Sequence, residues 1–226
     1  MKSSSSSTWT WVAILAAFVL MAAALYGALI YSPQEQQLGN TIRIMYVHVP
    51  SAWIAMVAFG IVSLASALYL WKRAIKWDTL ARSSAEVGLV FTSLALISGS
   101  IWARAFWGTW WTWDPRLTST LILWLIYLAY LMVRSYATEE SRGARYAAVV
   151  AIIGFVDVPI IYLATRLWNV AHPPQIVAQG ALDPIFVWVL MLGLAAFTLV
   201  YVILLTRTVA QKNLRREIDL LRQSIK

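Results

Sequence analysis

Long apolar stretches alternate with short polar connections along almost the whole chain. A helix that spans a bilayer needs about 20 predominantly apolar residues, within a range of about 17 to 25. Six stretches satisfy this requirement: residues 9–31, 47–71, 84–104, 118–134, 146–166 and 184–206. The pattern predicts an all-α integral membrane protein with six transmembrane helices, whose two termini lie on the same side.

Two of the predicted helices have a recognisable start. Asp114-Pro115 and Asp183-Pro184 each place an aspartate directly before a proline. Aspartate is a favoured N-cap residue, and proline suits the first helical position because the N–H it lacks has no partner there. Spans four and six are therefore predicted to begin at these prolines, and residues 107–113 belong to the loop that precedes span four.

The positive charges predict the orientation. If both termini are cytoplasmic, that side receives 14 of the 18 Lys and Arg residues, and the other side keeps only Arg43, Arg104, Arg116 and Arg166. Cytoplasmic loops of membrane proteins carry the excess of basic residues. We therefore expect cytoplasmic termini and, in a bacterial inner membrane, a periplasmic tryptophan-rich loop between helices three and four.

Composition excludes several other classes of protein. Only 12% of the residues are charged and 61% are hydrophobic, whereas a soluble domain is nearer 25% charged. The chain has no cysteine, which excludes disulfides, thiolate metal sites and a C-x-x-C-H haem attachment site. It contains neither a P-loop nor G-x-G-x-x-G. The net charge of +8 belongs to segments that flank the membrane, so it does not indicate nucleic-acid binding.

The loop before span four has an unusual composition. Residues 107–115 read WGTWWTWDP, with four tryptophans in seven positions. Tryptophan is enriched at membrane interfaces, so an interfacial belt is one interpretation. The two histidines of the chain, His48 and His172, are predicted to lie on the same side as this loop. A structural role for each histidine is the simpler alternative, and chance alone places two histidines on one side half the time.

Together, these residues meet the chemical demands of haem. Haem requires axial nitrogen ligands for its iron, apolar surroundings and partners for two propionates. Arg43, Arg104 and Arg116 flank the histidine and tryptophan segments and suit carboxylates, although interfacial anchoring explains arginines there equally well. Two histidines without cysteine are few for structural zinc, and no recognisable nucleophile–base motif occurs.

Three motifs resemble one family. The stretch WGTWWTWDPRLTS at residues 107–119 is similar to the signature of the WWD haem-handling membrane proteins. Within that family, RIMYVHVP at residues 43–50 and W-N-x-x-H at residues 168–172 resemble the CcmC-type cytochrome c maturation proteins. The number of spans and the order of the motifs agree along almost the whole chain. One departure is His172-Pro173-Pro174, where the family leads us to expect a glutamine directly after the histidine.

The resemblance implies a function. CcmC-type proteins hold haem b transiently at the periplasmic face and deliver it to the haem chaperone CcmE. They work with CcmA, CcmB and CcmD, and CcmA hydrolyses ATP, so this chain is expected to be a binding and delivery subunit rather than an enzyme. The implied site residues are His48 and His172 as axial ligands, Trp107, Trp110, Trp111 and Trp113 as platform and chaperone-docking surface, Asp114 as loop anchor, and Arg43 and Arg116 for the propionates.

Three alternatives stay open. A haem lyase component would attach haem directly to apocytochrome c. A permease subunit would move haem or another solute across the bilayer, although Asp157 is the only clear charge in the middle of a span. A scaffold with an interfacial tryptophan belt would bind no haem.

Two features lie outside the predicted site. Asp157 falls inside span five, where a carboxylate is expected to face the bundle, and Pro159 is expected to kink the helix. After a membrane domain at residues 1–206, the tail at residues 207–226 has apolar residues at helical spacing on a basic background. The tail is predicted to be an amphipathic helix that lies on anionic lipid or packs against a cytoplasmic partner.

Overall fold

The computed structural model describes residues 4–35, 39–136, 139–168 and 183–225, and these are nearly all helical. A π-helical turn, Gly27–Tyr31, extends the first helix, and a 3-10 turn, Asn40–Ile44, precedes the second. The α-helices are α1 Ser4–Tyr26, α2 Met45–Lys72, α3 Ile75–Trp107, α4 Pro115–Tyr136, α5 Glu140–Gly154, α6 Asp157–Leu167 and α7 Pro184–Ser224.

All six predicted spans are confirmed as helices long and apolar enough to cross a membrane. Within the described residues these are Thr8–Tyr31, Asn40–Lys72, Ile75–Trp107, Pro115–Tyr136, Ser141–Leu167 and Pro184–Ser224. Several are longer than predicted, and α3 begins nine residues before residue 84. Hydropathy marks the lipid-facing part of a helix, whereas the helix itself continues into polar sequence.

The bundle has two ends, which we name by their residues. The tryptophan end contains the segment Ser32–Glu35, the start of α2 and the loop Gly108–Asp114. The tail end contains the turn at Arg73 between α2 and α3, and residues 207–225 of α7. Because α3 runs from one end to the other, the site residues of the tryptophan end are held on a continuous helical frame.

The centre of the bundle is formed by α2, α3 and α4. The Tyr127 ring of α4 meets Phe59 of α2 edge-on at 4.8 Å, and its hydroxyl donates to the Ala55 carbonyl oxygen at 2.8 Å. On α3, a Cβ added at Gly88 would lie 2.3 Å from the Tyr127 hydroxyl oxygen. A larger residue at position 88 would therefore displace this tyrosine, and glycine allows α3 and α4 to approach closely.

Ion pairs join helices near the tail end. The Arg134 guanidinium of α4 donates to both carboxylate oxygens of Asp78 on α3, at 3.3 and 2.8 Å, and both side chains are buried. Lys212 of α7 lies 2.7 Å from Glu86 of α3. These contacts fix the relative positions of α3, α4 and α7.

Span five is broken into two helices close to Pro159, where the sequence predicts a kink. The helix α5 ends at Gly154, and α6 begins at Asp157 after a turn at Phe155 and Val156. Proline has no N–H and its ring clashes with the carbonyl four residues earlier, which here belongs to Phe155. The break therefore lies where the proline requires it, and α6 becomes a separate short helix that leads towards the tryptophan end.

The helix α7 contains both span six and most of the predicted tail. It runs from Pro184 to Ser224 as one α-helix, so the helical part of the tail prediction is confirmed. Leu214, Ile218 and Leu221 are exposed along it. Whether lipid or a partner covers them stays a prediction.

Candidate functional site

His48 is positioned by contacts with α3. It lies on the first turn of α2, and its Nδ1 is 3.0 Å from the Ala95 carbonyl oxygen and 3.2 Å from the Ser98 hydroxyl. A carbonyl oxygen can only accept, so Nδ1 must carry the hydrogen and Nε2 carries the lone pair. Histidines that bind metals commonly have this arrangement, in which one ring nitrogen donates to a carbonyl and the other ligates.

Glycine on α3 allows the histidine ring to lie this close. A Cβ at Gly99 would be 2.9 Å from the Cε1 atom of His48, which is closer than packed atoms tolerate. Ala95, Ser98 and Gly99 thus form one face of α3 that orients the imidazole.

His48 and Arg116 share a cavity. About 40 Å³ of space is enclosed by α2, α3, α4 and α6, with both side chains in its lining and Thr120 beside them. This volume holds about one water molecule and is far below the roughly 300 Å³ at which small-molecule pockets begin. A ligand as large as haem therefore does not fit inside this cavity.

Asp114 anchors the tryptophan loop to α4. Its Oδ1 accepts from the backbone N–H groups of Arg116 and Leu117 at 2.9 and 3.0 Å, and its Oδ2 accepts from the Thr112 hydroxyl at 2.9 Å. The predicted N-cap is confirmed, as is that of α7, where Asp183 accepts from the Ile185 N–H at 2.9 Å. Asp114 thereby fixes the backbone that carries Arg116.

The four tryptophans form separate groups. Trp107 packs edge-on against Trp102 at 5.6 Å, while Trp111 and Trp113 meet at 5.7 Å with an angle of 77° between their planes. Trp110 is exposed beneath the guanidinium of Arg104, which lies 6.0 Å from its ring centre. The rings therefore present several differently oriented apolar surfaces rather than one flat face.

Buried donors without acceptors lie near the same end. Among the described residues, the Nε of Arg43, the indole nitrogen of Trp111 and the hydroxyl of Thr118 are buried and have no hydrogen-bond partner. Buried polar groups are normally satisfied, so unpartnered donors call for an explanation. An anionic ligand that accepts hydrogen bonds would supply one.

The structure brings some of the predicted site residues together. His48 and Arg116 line one cavity, and Asp114 holds the start of α4 beside them. Arg43 lies on the 3-10 turn that leads into α2 and does not line this cavity. His172 belongs to residues 169–182, which lie outside the described residues.

Sequence reasoning missed the residues of α3 that orient His48. Ala95, Ser98 and Gly99 recur at helical spacing, so they share one face. Small and polar residues on one face of a span are typical of close helix–helix contact, and this signal was present in the sequence. The sequence does not show, however, which helix packs against this face of α3.

The fold and the site define a class, a six-span helical membrane protein with a histidine and a tryptophan loop at one end. The sequence profile described as "CcmC: Heme exporter protein C" matches residues 1–224. The chain therefore belongs to the heme exporter protein C (CcmC) family.

Individual relatives agree along most of the chain. The heme exporter protein C of Bradyrhizobium diazoefficiens is 39% identical over 212 residues, which cover 92% of this chain and 80% of the relative. Its namesake from Escherichia coli K12 is 35% identical, with 77% and 71% covered. That of Rhodobacter capsulatus is 32% identical, with 91% and 87% covered. These bacterial relatives and the six apolar helices indicate a multi-pass inner-membrane protein.

Proposed function

We propose that the protein binds haem at its tryptophan end and delivers it to the haem chaperone CcmE during cytochrome c maturation. The tryptophan end faces the periplasm, and the haem is haem b, bound transiently. The chain is a non-catalytic subunit of a complex with CcmA, CcmB and CcmD, in which CcmA hydrolyses ATP. Membership of the heme exporter protein C family and the chemistry of the described residues support this proposal.

The observation that carries the proposal is the position of His48. Its Nδ1 donates to the Ala95 carbonyl, so Nε2 has the lone pair that an axial iron ligand needs. The ring is held between two spans at the tryptophan end, next to Arg116. His172 is the proposed second ligand, contributed by the segment between α6 and α7.

Cationic and N–H donor groups are the proposed partners of the two propionates. Arg116 lies beside His48, and Arg43 has a buried Nε without an acceptor among the described residues. Arginine pairs well with carboxylates because its N–H groups form a planar fork. The buried indole nitrogen of Trp111 offers a further donor at the same end.

Trp107, Trp110, Trp111 and Trp113 are the proposed apolar contacts of the porphyrin and of the chaperone. Trp110 and Trp113 are exposed, at 59% and 77%, so large apolar rings are accessible on the surface. An exposed rim suits a carrier, because a haem held there keeps one edge accessible to the acceptor. Asp114 fixes the loop on which these rings lie.

Absorption spectra of the purified protein test the proposal. The full chain in detergent, loaded with haem, is expected to give a low-spin bis-imidazole spectrum. His48→Ala and His172→Ala are each expected to lose that spectrum, because each removes one axial nitrogen. Addition of imidazole to His48→Gly should restore it, since the small ligand replaces the missing side chain.

Gln34→Ala serves as the matched control, since Gln34 is an exposed residue of the same end. Its spectrum should equal that of the parent protein. Unchanged spectra in both histidine variants would remove the ligand assignment. Absence of any haem spectrum in the parent, after reconstitution of a monodisperse sample, would contradict the proposed function itself.

A further inference from the structure

The break in span five opens a groove on the lipid-facing side of the bundle. Its volume is about 450 Å³, and its lining comes from α4, α5, α6 and the turn between the last two, and includes Ile126, Ile153, Val156 and Ile160. Ile153 and Val156 are 68% and 64% exposed, so the groove opens outwards from the bundle. Its surface is almost entirely apolar, with one exception.

That exception is Asp157, the first residue of α6. The residue is 8% exposed, it lines the groove, and its Oδ2 is buried without a hydrogen-bond partner among the described residues. At 1.5 Å per residue, it lies about 24 Å from the start of its span at Ser141 and about 15 Å from the end at Leu167. The carboxyl group is therefore within the hydrocarbon region, where no water is available to satisfy it.

The residues that the structure describes leave this oxygen without a donor. The N-terminus of α6 favours an acidic residue in its first turn, which explains part of the choice of aspartate. No cap hydrogen bond from a side chain is formed at that terminus, however. Ionisable groups inside membranes normally face a partner, so this oxygen calls for a donor outside the described residues.

We propose that this groove is the docking site of a transmembrane helix from a partner subunit, which donates a hydrogen bond to Asp157. A lipid acyl chain would fill the groove but has no donor, so it leaves Oδ2 unsatisfied. Among the structures that reach this depth, a helix satisfies its own backbone and can present one polar side chain. The partner helix is expected to have mainly small and apolar residues and one donor, such as serine, threonine, asparagine or lysine, level with Asp157.

Close packing of the chain shapes the groove for such a helix. A Cβ at Gly154 would lie 2.5 Å from the Cγ2 of Ile126, so glycine holds the end of α5 tightly against α4. The break then leaves α6 free to diverge, and Ile161 on α6 also lines the cavity of His48. A helix bound at Asp157 thus contacts the element that separates the groove from the haem-site residues.

Site-directed cross-linking tests the proposal. The experiment rests on the proposed function in one respect, because the partner is sought among CcmA, CcmB and CcmD. A photo-reactive benzoyl-phenylalanine replaces Val156 in the full chain, co-expressed with these subunits. The control position is Val19, which is 56% exposed and lies on α1, a helix that does not line the groove. The expected result is an adduct from position 156 that maps to a transmembrane helix with a donor residue at that level.

Asp157 variants test the hydrogen bond. Asp157→Asn keeps an accepting oxygen and is expected to retain the partner subunit during purification. Asp157→Leu has none, and the retained partner should fall roughly tenfold, the factor that loss of one interhelical hydrogen bond in a bilayer implies. The haem spectrum of each variant shows whether the fold and the tryptophan end are intact.

Three results would overturn the docking site. They are adducts with lipid alone, the same adduct from Val19, and unchanged retention of the partner by Asp157→Leu. Each of these leaves haem binding by the parent protein unaffected. A parent without a haem spectrum would instead count against the proposed function, so the two failures are distinguishable.

Discussion

Gly99 determines how closely the His48 ring can approach α3. Replacement by alanine adds a Cβ at 2.9 Å from the ring, so either the imidazole or the helix must move. Gly60 provides a matched control, because its Cβ would meet the Phe155 ring at an ordinary 3.7 Å. The two positions lie in neighbouring helices and differ in the space available.

We expect Gly99→Ala to lower the free energy of unfolding by about 1–3 kcal/mol, as overpacked sites do. Its haem spectrum should also change, because the bond from Nδ1 to Ala95 no longer has its present geometry. Gly60→Ala should leave both properties close to those of the parent. Thermal unfolding in detergent and absorption spectra measure the two effects, and equal behaviour of the variants would contradict the described position of His48.

At the scale of the helices, the N-termini of α4 and α7 are both capped by an aspartate, but they have different neighbours. Asp114 caps α4 beside the tryptophan loop, and Asp183 caps α7. Loss of an N-cap aspartate costs about 0.5–2 kcal/mol. Asp114→Ala and Asp183→Ala are therefore expected to lose similar stability.

Haem affinity should separate these two variants. Only Asp114→Ala releases Thr112 and the first turn that carries Arg116, so only this variant should bind haem several-fold more weakly. Asp114→Asn should bind nearly as well as the parent, because asparagine is an equally good N-cap. Haem titration followed by absorbance gives the affinities. Equal losses for Asp114→Ala and Asp183→Ala would argue against a role of the loop anchor.

The helices also show what the sequence could and could not predict. Local chemistry predicts several features. The length of the apolar stretches predicts the six spans, the Asp-Pro pairs predict the two N-caps, and the missing N–H of Pro159 predicts an interruption of span five. The bonds from His48 to Ala95 and Ser98 join residues about 50 positions apart and depend on how α2 and α3 pack. No local pattern specifies that register, so His48 was recognisable as a candidate, whereas its orientation required the structure.

At the scale of the whole molecule, the orientation predicted from charge can be measured directly. The natural chain has no cysteine, so single cysteines report their own positions. Gln34 at the tryptophan end and Gln223 at the tail end are both exposed glutamines. A maleimide that cannot cross membranes should label Gln34→Cys in intact spheroplasts, and Gln223→Cys only after the membrane is permeabilised. The reverse pattern would place the tryptophan end in the cytoplasm.

The continuous helix α7 extends between the two ends of the molecule. Its 41 residues extend over about 60 Å, twice the hydrocarbon thickness of a bilayer. At the tryptophan end, a Cβ at Gly193 would lie 3.4 Å from the carbonyl oxygen of Tyr46, two residues before His48. The part beyond Arg207 extends about 25 Å further at the opposite end.

A straight helix of this length that tilts as a rigid rod behaves as a lever arm. A tilt of about 5° around the level of Gly193 moves Ser224 sideways by roughly 4 Å, given the 1.5 Å rise per residue. A displacement well below 1 Å near His48 therefore corresponds to a shift of several ångströms at the tail. The same geometry works in reverse, so a sideways displacement of the tail changes the packing beside the imidazole by only a small fraction of that displacement.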